Sequence, residues 1–262
     1  MQTSIDISWL QLGLFSLLLF IPIVINAHFK LGINKSTVIA LVRLFLQLLL
    51  VGFYLEYIFE LDNILLNTGW LIVMITVGSY SIITKSGLNN RYLFIANSIA
   101  LSCAVLPILL VLSLLIIQPA PWYSAQYMIP LAGMLLGNSL SANIVALQHL
   151  FGAFKQQQDE YEGALALGAS PYQAAFPFLQ QSLKKAQAPI LATIATTGIV
   201  SLPGMMTGQI LGGVTPMVAI KYQLLIFLAM LVMLSISLTI SLLLTLRISL
   251  AKNGLIKIKL NN

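Results

Sequence analysis

Charge is what this chain has least of. Asp, Glu, Lys and Arg make up 8% of 262 residues against 59% hydrophobic, and seven acids cannot coat a soluble globule of that length. With a mean hydropathy of +0.96, the composition points to an integral membrane protein. Cysteine is nearly absent: Cys103 is alone in mid-span, can form no intrachain disulfide and no metal cluster by itself, and reads as packing. No Lys or Arg occurs in the first 29 residues, which argues against a cleavable signal peptide with a basic leader, so the first apolar stretch is taken as a true span. The sequence contains no G-x-x-x-x-G-K-[ST], no H-E-x-x-H and no G-x-S-x-G, and His28 and His149 are far apart. A self-contained ATPase or metalloprotease is therefore not expected. The apolar spans carry no Asp, Glu or His in their middles, which disfavours an intramembrane enzyme.

What is present is a series of apolar runs. A crossing needs roughly 20 apolar residues at about 1.5 Å rise each. Seven stretches qualify, about 9–27, 36–58, 64–84, 92–117, 122–147, 188–213 and 222–246; the first carries Pro22 and the sixth is broken by Pro203-Gly204. The expected fold is an all-α membrane protein of about seven spans in one membrane domain over 1–262. The net charge of +6 comes from bases scattered among the apolar runs, a pattern that orients spans and does not make a nucleic-acid surface. If the N-terminus starts outside, Lys30, Lys35, Lys85, Arg91, Lys155, Lys184, Lys185, Arg247, Lys252, Lys257 and Lys259 all fall inside. The outer segments then hold Asp6, Glu56, Glu60 and Asp62 against Lys221. A re-entrant 188–213 would put the C-terminal bases outside, so the positive-inside rule favours seven crossings with a cytoplasmic C-terminus.

One polar island interrupts this pattern, Lys155 to Lys185, KQQQDEYEGALALGASPYQAAFPFLQQSLKK. A helix should begin near Gln156, stop at Gly168, and restart at Ser170-Pro171, because Ser suits an N-cap and Pro the first helical turn. The result is a helical hairpin, about 150–187, on the cytoplasmic side. It is either an amphipathic hairpin of no special role or an elbow gripped by a soluble motor that supplies the energy this chain lacks.

Glu162-Gly163-Ala164, three residues and then Gly168 resemble the first half of the coupling loop of ABC-transporter permeases, E-A-A-x-x-x-G, although the second half of that pattern is not reproduced. The stretch TGIVSLPGMMTGQILGG from Thr197 to Gly213, with ALALGASPYQAA before it and Tyr222-Gln223 after, closely resembles the FetB/YbbM-type permeases, a family of bacterial iron exporters and plant aluminium-resistance proteins. Arg43 and Gln47 look like that family's R-x-x-x-Q. The resemblance implies the permease subunit of an ABC exporter in the cell inner membrane, working as a homodimer with a separate FetA-like ATPase that holds ATP and Mg. It implies no cofactor on this chain, and iron or a nucleotide sugar as substrate. Under it, Asp159, Glu160, Glu162, Gly163, Ala164, Leu167, Gly168, Ala169 and Ser170 are expected to meet the ATPase.

Residue chemistry adds a pathway or hinge, comprising Arg43, Gln47, Ser201, Pro203, Gly204, Met205, Met206, Thr207 and Gln209. Pro203 removes a backbone hydrogen bond and Gly204 adds freedom, and carbonyls freed inside a membrane need protein or a water-filled cavity. A kinked, packed helix would also accommodate them. Met205 and Met206 are soft donors, but neighbours on a helix point about 100° apart, so the metal ligands stay unknown. Arg43 either snorkels to the surface or pairs within the bundle. Glu56 and Glu60 share a helical face near Asp62, and are either solvated acids or an outer attraction for cations. Gly133-x-x-x-Gly137-x-x-x-Ser141, with Asn138 and Asn143 beside it, reads as a packing ridge.

Overall fold

A computed structural model describes residues 6–88 and 90–250; Lys252, Lys257 and Lys259 lie outside the described residues. The chain is helical almost throughout. Helix α1 (Trp9–Ser16) opens on a capping box, in which the Ser8 hydroxyl and the Gln11 amide satisfy each other's backbone N–H. A 3-10 turn joins it to α2 (Phe20–His28). Then follow α3 (Asn34–Leu61), α4 (Ile64–Lys85), and α5 (Arg91–Val111), which runs on as a π turn to Ile117. After these come α6 (Ala125–Gln156), α7 (Gln158–Ala166), α8 (Pro171–Thr196), α9 (Gly204–Leu211) and α10 (Pro216–Ser249).

Helices α4, α5, α6 and α10 form the bundle. Leu71, Ile75 and Ile82 of α4, Leu101, Val105 and Leu109 of α5, Leu135, Leu147 and Leu150 of α6, and Met233, Leu238 and Leu242 of α10 are all buried in one apolar core. The inward face of α10 becomes small and polar toward its C-terminal end, at Ser237, Ser241, Thr245 and Ser249, spaced four apart and all buried. Small residues let helix backbones approach in a membrane, and hydroxyls bond across them. Ser237 Oγ lies 2.8 Å from Ser139 Oγ of α6, Asn143 Nδ2 donates to both hydroxyls at 3.1 and 3.3 Å, and Ser241 donates to Asn97 Oδ1 of α5 at 2.8 Å.

Contacts between helices also fix the register. Gln148 of α6 donates to the Lys85 carbonyl at the end of α4, and His149 Nδ1 lies 3.4 Å from Ser182 Oγ of α8. The start of α8 (Ser170, Pro171, Tyr172) and the end of α10 (Leu246, Arg247, Leu250) line one groove of about 450 Å³. Lys85, Arg91, Lys155 and Arg247 therefore sit at the end of the bundle that carries the polar island, hereafter the elbow end. Because α3 finishes at the opposite end, its start places Lys30 and Lys35 at the elbow end too.

Six helical stretches among the described residues are long and apolar enough to cross a membrane: Trp9–His28, Asn34–Leu61, Ile64–Lys85, Arg91–Ile117, Ala125–Gln156 and Pro216–Ser249. The expected span 188–213 is not one of them. Helix α8 begins inside the polar island and runs past it unbroken to Thr196, so the hairpin's second arm and the first half of that span are one helix. The chain leaves helix at Thr197–Pro203, about two turns before the Pro-Gly pair that signalled the break, because Thr196-Thr197 and Ile199-Val200 are poor helix formers and Gly198 takes a left-handed φ of +87°. Pro203 then stands as the N-cap of the short α9. The passage from the elbow end to the start of α10 is made in two pieces.

The first two spans stand apart. The apolar windows of Trp9–His28 and Asn34–Leu61 bury nothing, whereas the other four bury 33–44%. Helix α3 touches the bundle only near its end, where Ile58, Tyr54 and Leu55 pack on Ala125, Ile129 and Trp70. That joint is secured by Asp62. Its Oδ1 accepts from the Ala125 N–H at 2.7 Å and from Asn67 Nδ2 at 3.2 Å, while Asn67 also donates to the Tyr123 carbonyl at 2.8 Å. Ser124, the nominal cap of α6, makes no side-chain cap bond, so a carboxylate from a distant turn caps that helix and meets its positive end. Asp62→Ala should cost about 1–2 kcal/mol, the usual range for a lost cap. It should lower the thermal midpoint of the detergent-solubilised protein by a few degrees, with Asp62→Asn intermediate.

Candidate functional site

The elbow is built from two local signals and one tertiary one. Helix α7 ends as expected: Leu167 and Gly168 close the turn, Gly168 adopts a φ of +94°, and its N–H and that of Ala169 return to the Leu165 and Ala164 carbonyls. Ser170 caps α8 in a second capping box with Gln173, and Pro171 occupies the first turn. The tertiary signal is Tyr161. It is 2% exposed, with its ring 5.3 Å from Phe154 of α6 and 6.5 Å from Phe178 of α8, which themselves stack 5.1 Å apart. Burial pushes the Tyr161 phenol above its ordinary pKa, so it stays neutral at physiological pH.

This anchor turns the opposite face of α7 outward. Asp159, Glu160, Glu162 and Gly163 are exposed, and Leu167, 92% exposed, is the knob of the turn. Ala164 and Ala169 pack partly against the core, and Ser170 is exposed. Asp159 and Glu160 also stand in the first turn of α7, where carboxylates meet the positive end of the helix. Gln158 donates to Glu162 at 2.6 Å. A Cβ at Gly163 would meet nothing within 4 Å, so this face is open to close approach. The result is an acidic, small-residue surface with one protruding leucine.

The second region is the break. Fourteen residues of α8, roughly 20 Å of helix at about 1.5 Å per residue, separate it from Ser182, which lies beside His149 of α6. Within the turn, the Gly198 N–H bonds the Ser201 carbonyl at 2.9 Å and the Val200 N–H the Thr196 carbonyl at 3.0 Å. Among the described residues, the carbonyls of Gly198, Ile199 and Val200 accept no backbone hydrogen bond. Ser201 is exposed and Gly204 opens α9; Met206 is buried, Met205 packs partly on the core, and Thr207 bonds back to the Pro203 carbonyl at 3.1 Å. Gln209 Oε1 and Gln223 Oε1 are buried acceptors without a partner, one on each of the packed helices α9 and α10. The Oδ1 atoms of Asn34, Asn67 and Asn143 are unpartnered likewise, so an orphan acceptor does not by itself mark a pathway.

A family profile, Uncharacterised protein family (UPF0014), matches residues 9–249. The chain belongs to that family. The protein "UPF0014 membrane protein slr1647" of Synechocystis is 33% identical over 87% of this chain and 88% of its own length. Arabidopsis thaliana "Protein ALUMINUM SENSITIVE 3" is 34% identical over 79% and 74%, and the Escherichia coli "Probable iron export permease protein FetB" is 30% identical over 82% of each. No solved structure matches. The chain is a multi-pass member of this family of membrane proteins, in keeping with the resemblance seen at the Thr197–Gly213 stretch.

The remaining expected residues of this UPF0014 protein are not gathered with the break. Arg43 and Gln47 are exposed on α3, and no described residue bonds their side chains. Spacing puts them on the same face of α3 as Tyr54 and Ile58, the residues that pack on α4 and α6. Glu56 and Glu60 are exposed, Asp62 is engaged in capping α6, and no three His, Cys, Asp or Glu side chains among the described residues come together as a metal site. Asn143 is buried in the serine network, whereas Asn138 is exposed and bonds only its own helix. The sequence reading missed Tyr161 with Phe154 and Phe178, Asn97, and the serine ladder of α10. The four-residue spacing of Ser237, Ser241, Thr245 and Ser249 was the available signal for the ladder.

Proposed function

We propose that this chain is the membrane-spanning permease of an ATP-driven ABC exporter, with iron as the exported substrate and the cell inner membrane as its location. A separate ATPase subunit, carrying ATP and Mg, docks on the elbow, and two copies of the chain make the transport unit. The observation that supports this reading is the elbow itself: an acidic face held rigidly outward by the Tyr161 anchor, at the end of the bundle where the bases gather. Bases gather on the cytoplasmic side of membranes, where ATP is available. Helix α8 links that face to the break without interruption, so a push at Ser170 reaches Thr197 along one helix. ATP-driven closure of the motor then shifts the population between states in which the break faces different sides.

A second reading of the substrate rests on Arg43 and Gln47. A guanidinium without a partner among the described residues suits an anion, such as a nucleotide sugar, better than a metal cation. The test separates the two. In iron-loaded cells lacking the chain, wild-type protein co-expressed with its ATPase should lower cellular iron measured by mass spectrometry, and Glu162→Lys should leave iron as high as in cells without the chain. Unchanged iron with the wild type would overturn iron as substrate and leave the anion reading; Glu162→Lys acting as wild type would overturn docking at the elbow.

A further inference from the structure

We propose that the cleft between the end of α4 and the start of α5 holds the phosphate headgroup of an anionic phospholipid in the leaflet at the elbow end. Ile64–Lys85 and Arg91–Ile117 are both long and apolar enough to cross a membrane, so the turn that joins them lies at a membrane face. A cleft of about 500 Å³ opens there. Its lining divides by burial: Ile83 and Leu88 are buried, whereas Tyr80, Thr84 and Arg91 are exposed. The turn fixes this shape. Gly87 takes a left-handed φ of +73°, and the N–H groups of Gly87 and Leu88 return to the Thr84 and Ile83 carbonyls at 3.2 and 3.1 Å. The end of α4 is thereby closed on itself, and what the cleft offers a ligand is its side chains.

Those side chains are donors. Arg91 is exposed, and no hydrogen bond or ion pair holds its guanidinium among the described residues. Asn90, which also lines the cleft, spends its Oδ1 on the Tyr92 N–H at 2.8 Å, leaving the amide nitrogen to donate. The Tyr80 hydroxyl bonds no described residue, and Lys85 follows Thr84 at the end of α4. No Asp or Glu occurs between Asp62 and Asp159, so neither helix carries an acid to answer these bases. A concave donor set with a guanidinium and no carboxylate suits a phosphate, and basic pockets between spans are where anionic headgroups bind. A free anion would need only these donors; the surface leading away from them selects a lipid. Val73, Val77 and Tyr80 share one face of α4 and are 44%, 61% and 66% exposed, and Ile95 and Ile99 of α5 are exposed as well. This apolar stripe starts at the cleft and runs toward the middle of the span, as the acyl chain of a lipid held by its phosphate does. Tyr80 stands where the two meet, with an apolar ring and a polar tip.

Native mass spectrometry of the purified chain in a neutral detergent, titrated with phosphatidylglycerol or with phosphatidylcholine, tests this. Wild type should hold one phosphatidylglycerol at least about fivefold more tightly than phosphatidylcholine, the worth of a single base at a lipid surface. Arg91→Gln should lose that preference, and so should Thr84→Glu, which sets an acid among the donors. Neither side chain is buried, so both variants should keep the wild-type thermal midpoint when no lipid is added. Lys35→Gln removes a base from α3 at the same membrane face and should leave the preference intact. Equal binding of the two lipids by wild type would overturn the proposal, as would survival of the preference in Arg91→Gln. An equal loss in Lys35→Gln would mean a diffuse attraction of the whole basic face and no site at this cleft. Displacement of the lipid by millimolar inorganic phosphate would make the cleft a site for the free anion, which overturns the lipid as its occupant.

Discussion

Tyr161→Ala should abolish coupling to the ATPase while leaving the membrane bundle assembled. Helix α7 has nine residues, fewer than the dozen or so that an isolated helix needs to persist in water, so its shape is borrowed from packing. That packing is concentrated in one side chain, whose ring lies between Phe154 and Phe178 while the acids around it face solvent. Removing a buried aromatic ring typically costs about 3–5 kcal/mol. Even the lower figure corresponds to about a hundredfold loss in the docked population of α7, since each 1.4 kcal/mol is a factor of ten. The bundle interfaces of α4, α5, α6 and α10 contain none of this cost, so the thermal midpoint in detergent should stay within a few degrees of wild type. The measurement is stimulation of the ATPase by reconstituted permease, which should fall to background for Tyr161→Ala and remain close to wild type for Tyr161→Phe. Full stimulation by Tyr161→Ala would show that the elbow is not the site of coupling.

Much of the fold was legible because the bilayer imposes a simple code. Apolar runs of the required length located the spans, and the helix signals around the elbow, Gly168 and Ser170-Pro171, act locally and were read at the correct positions. The sixth span was misread because length and hydropathy count residues without testing whether one helix holds them. Gly198 and the β-branched residues around it end α8 before Pro203 can, and polar residues from Pro171 onward extend the same helix below the apolar run. At the candidate site, the exposed acids could be found from composition alone. The ring that orients them could not, since an aromatic in a polar island is as easily a surface residue until Phe154 and Phe178, on two other helices, are brought against it. Asp62 shows the same limit: its charge was visible in the sequence, but not that it caps a helix beginning more than sixty residues later.

Gly198→Val should stop transport without loosening the complex. A Cβ at Gly198 meets nothing within 4 Å in this chain, so the substitution introduces no intrachain clash; what it opposes is the φ of +87°. A β-branched residue held in that region costs of order 1–3 kcal/mol. The strain is relieved if α8 extends through the turn, which would fuse it toward α9 and remove the joint where displacement of the elbow changes direction. Transport should drop at least tenfold, while ATPase binding and basal ATP hydrolysis stay near wild type, because the elbow lies roughly 40 Å away along α8. Gly204→Ala is the control, since Gly204 sits in the same break with open space around it, no left-handed φ, and a place in the first turn of α9. It should transport normally. If the chain were only a scaffold on which the ATPase assembles, both variants would behave as wild type. If packing and not backbone freedom governed the break, Gly204→Ala would be as harmful as Gly198→Val. Only a working hinge separates the two glycines in transport while leaving them equal in assembly.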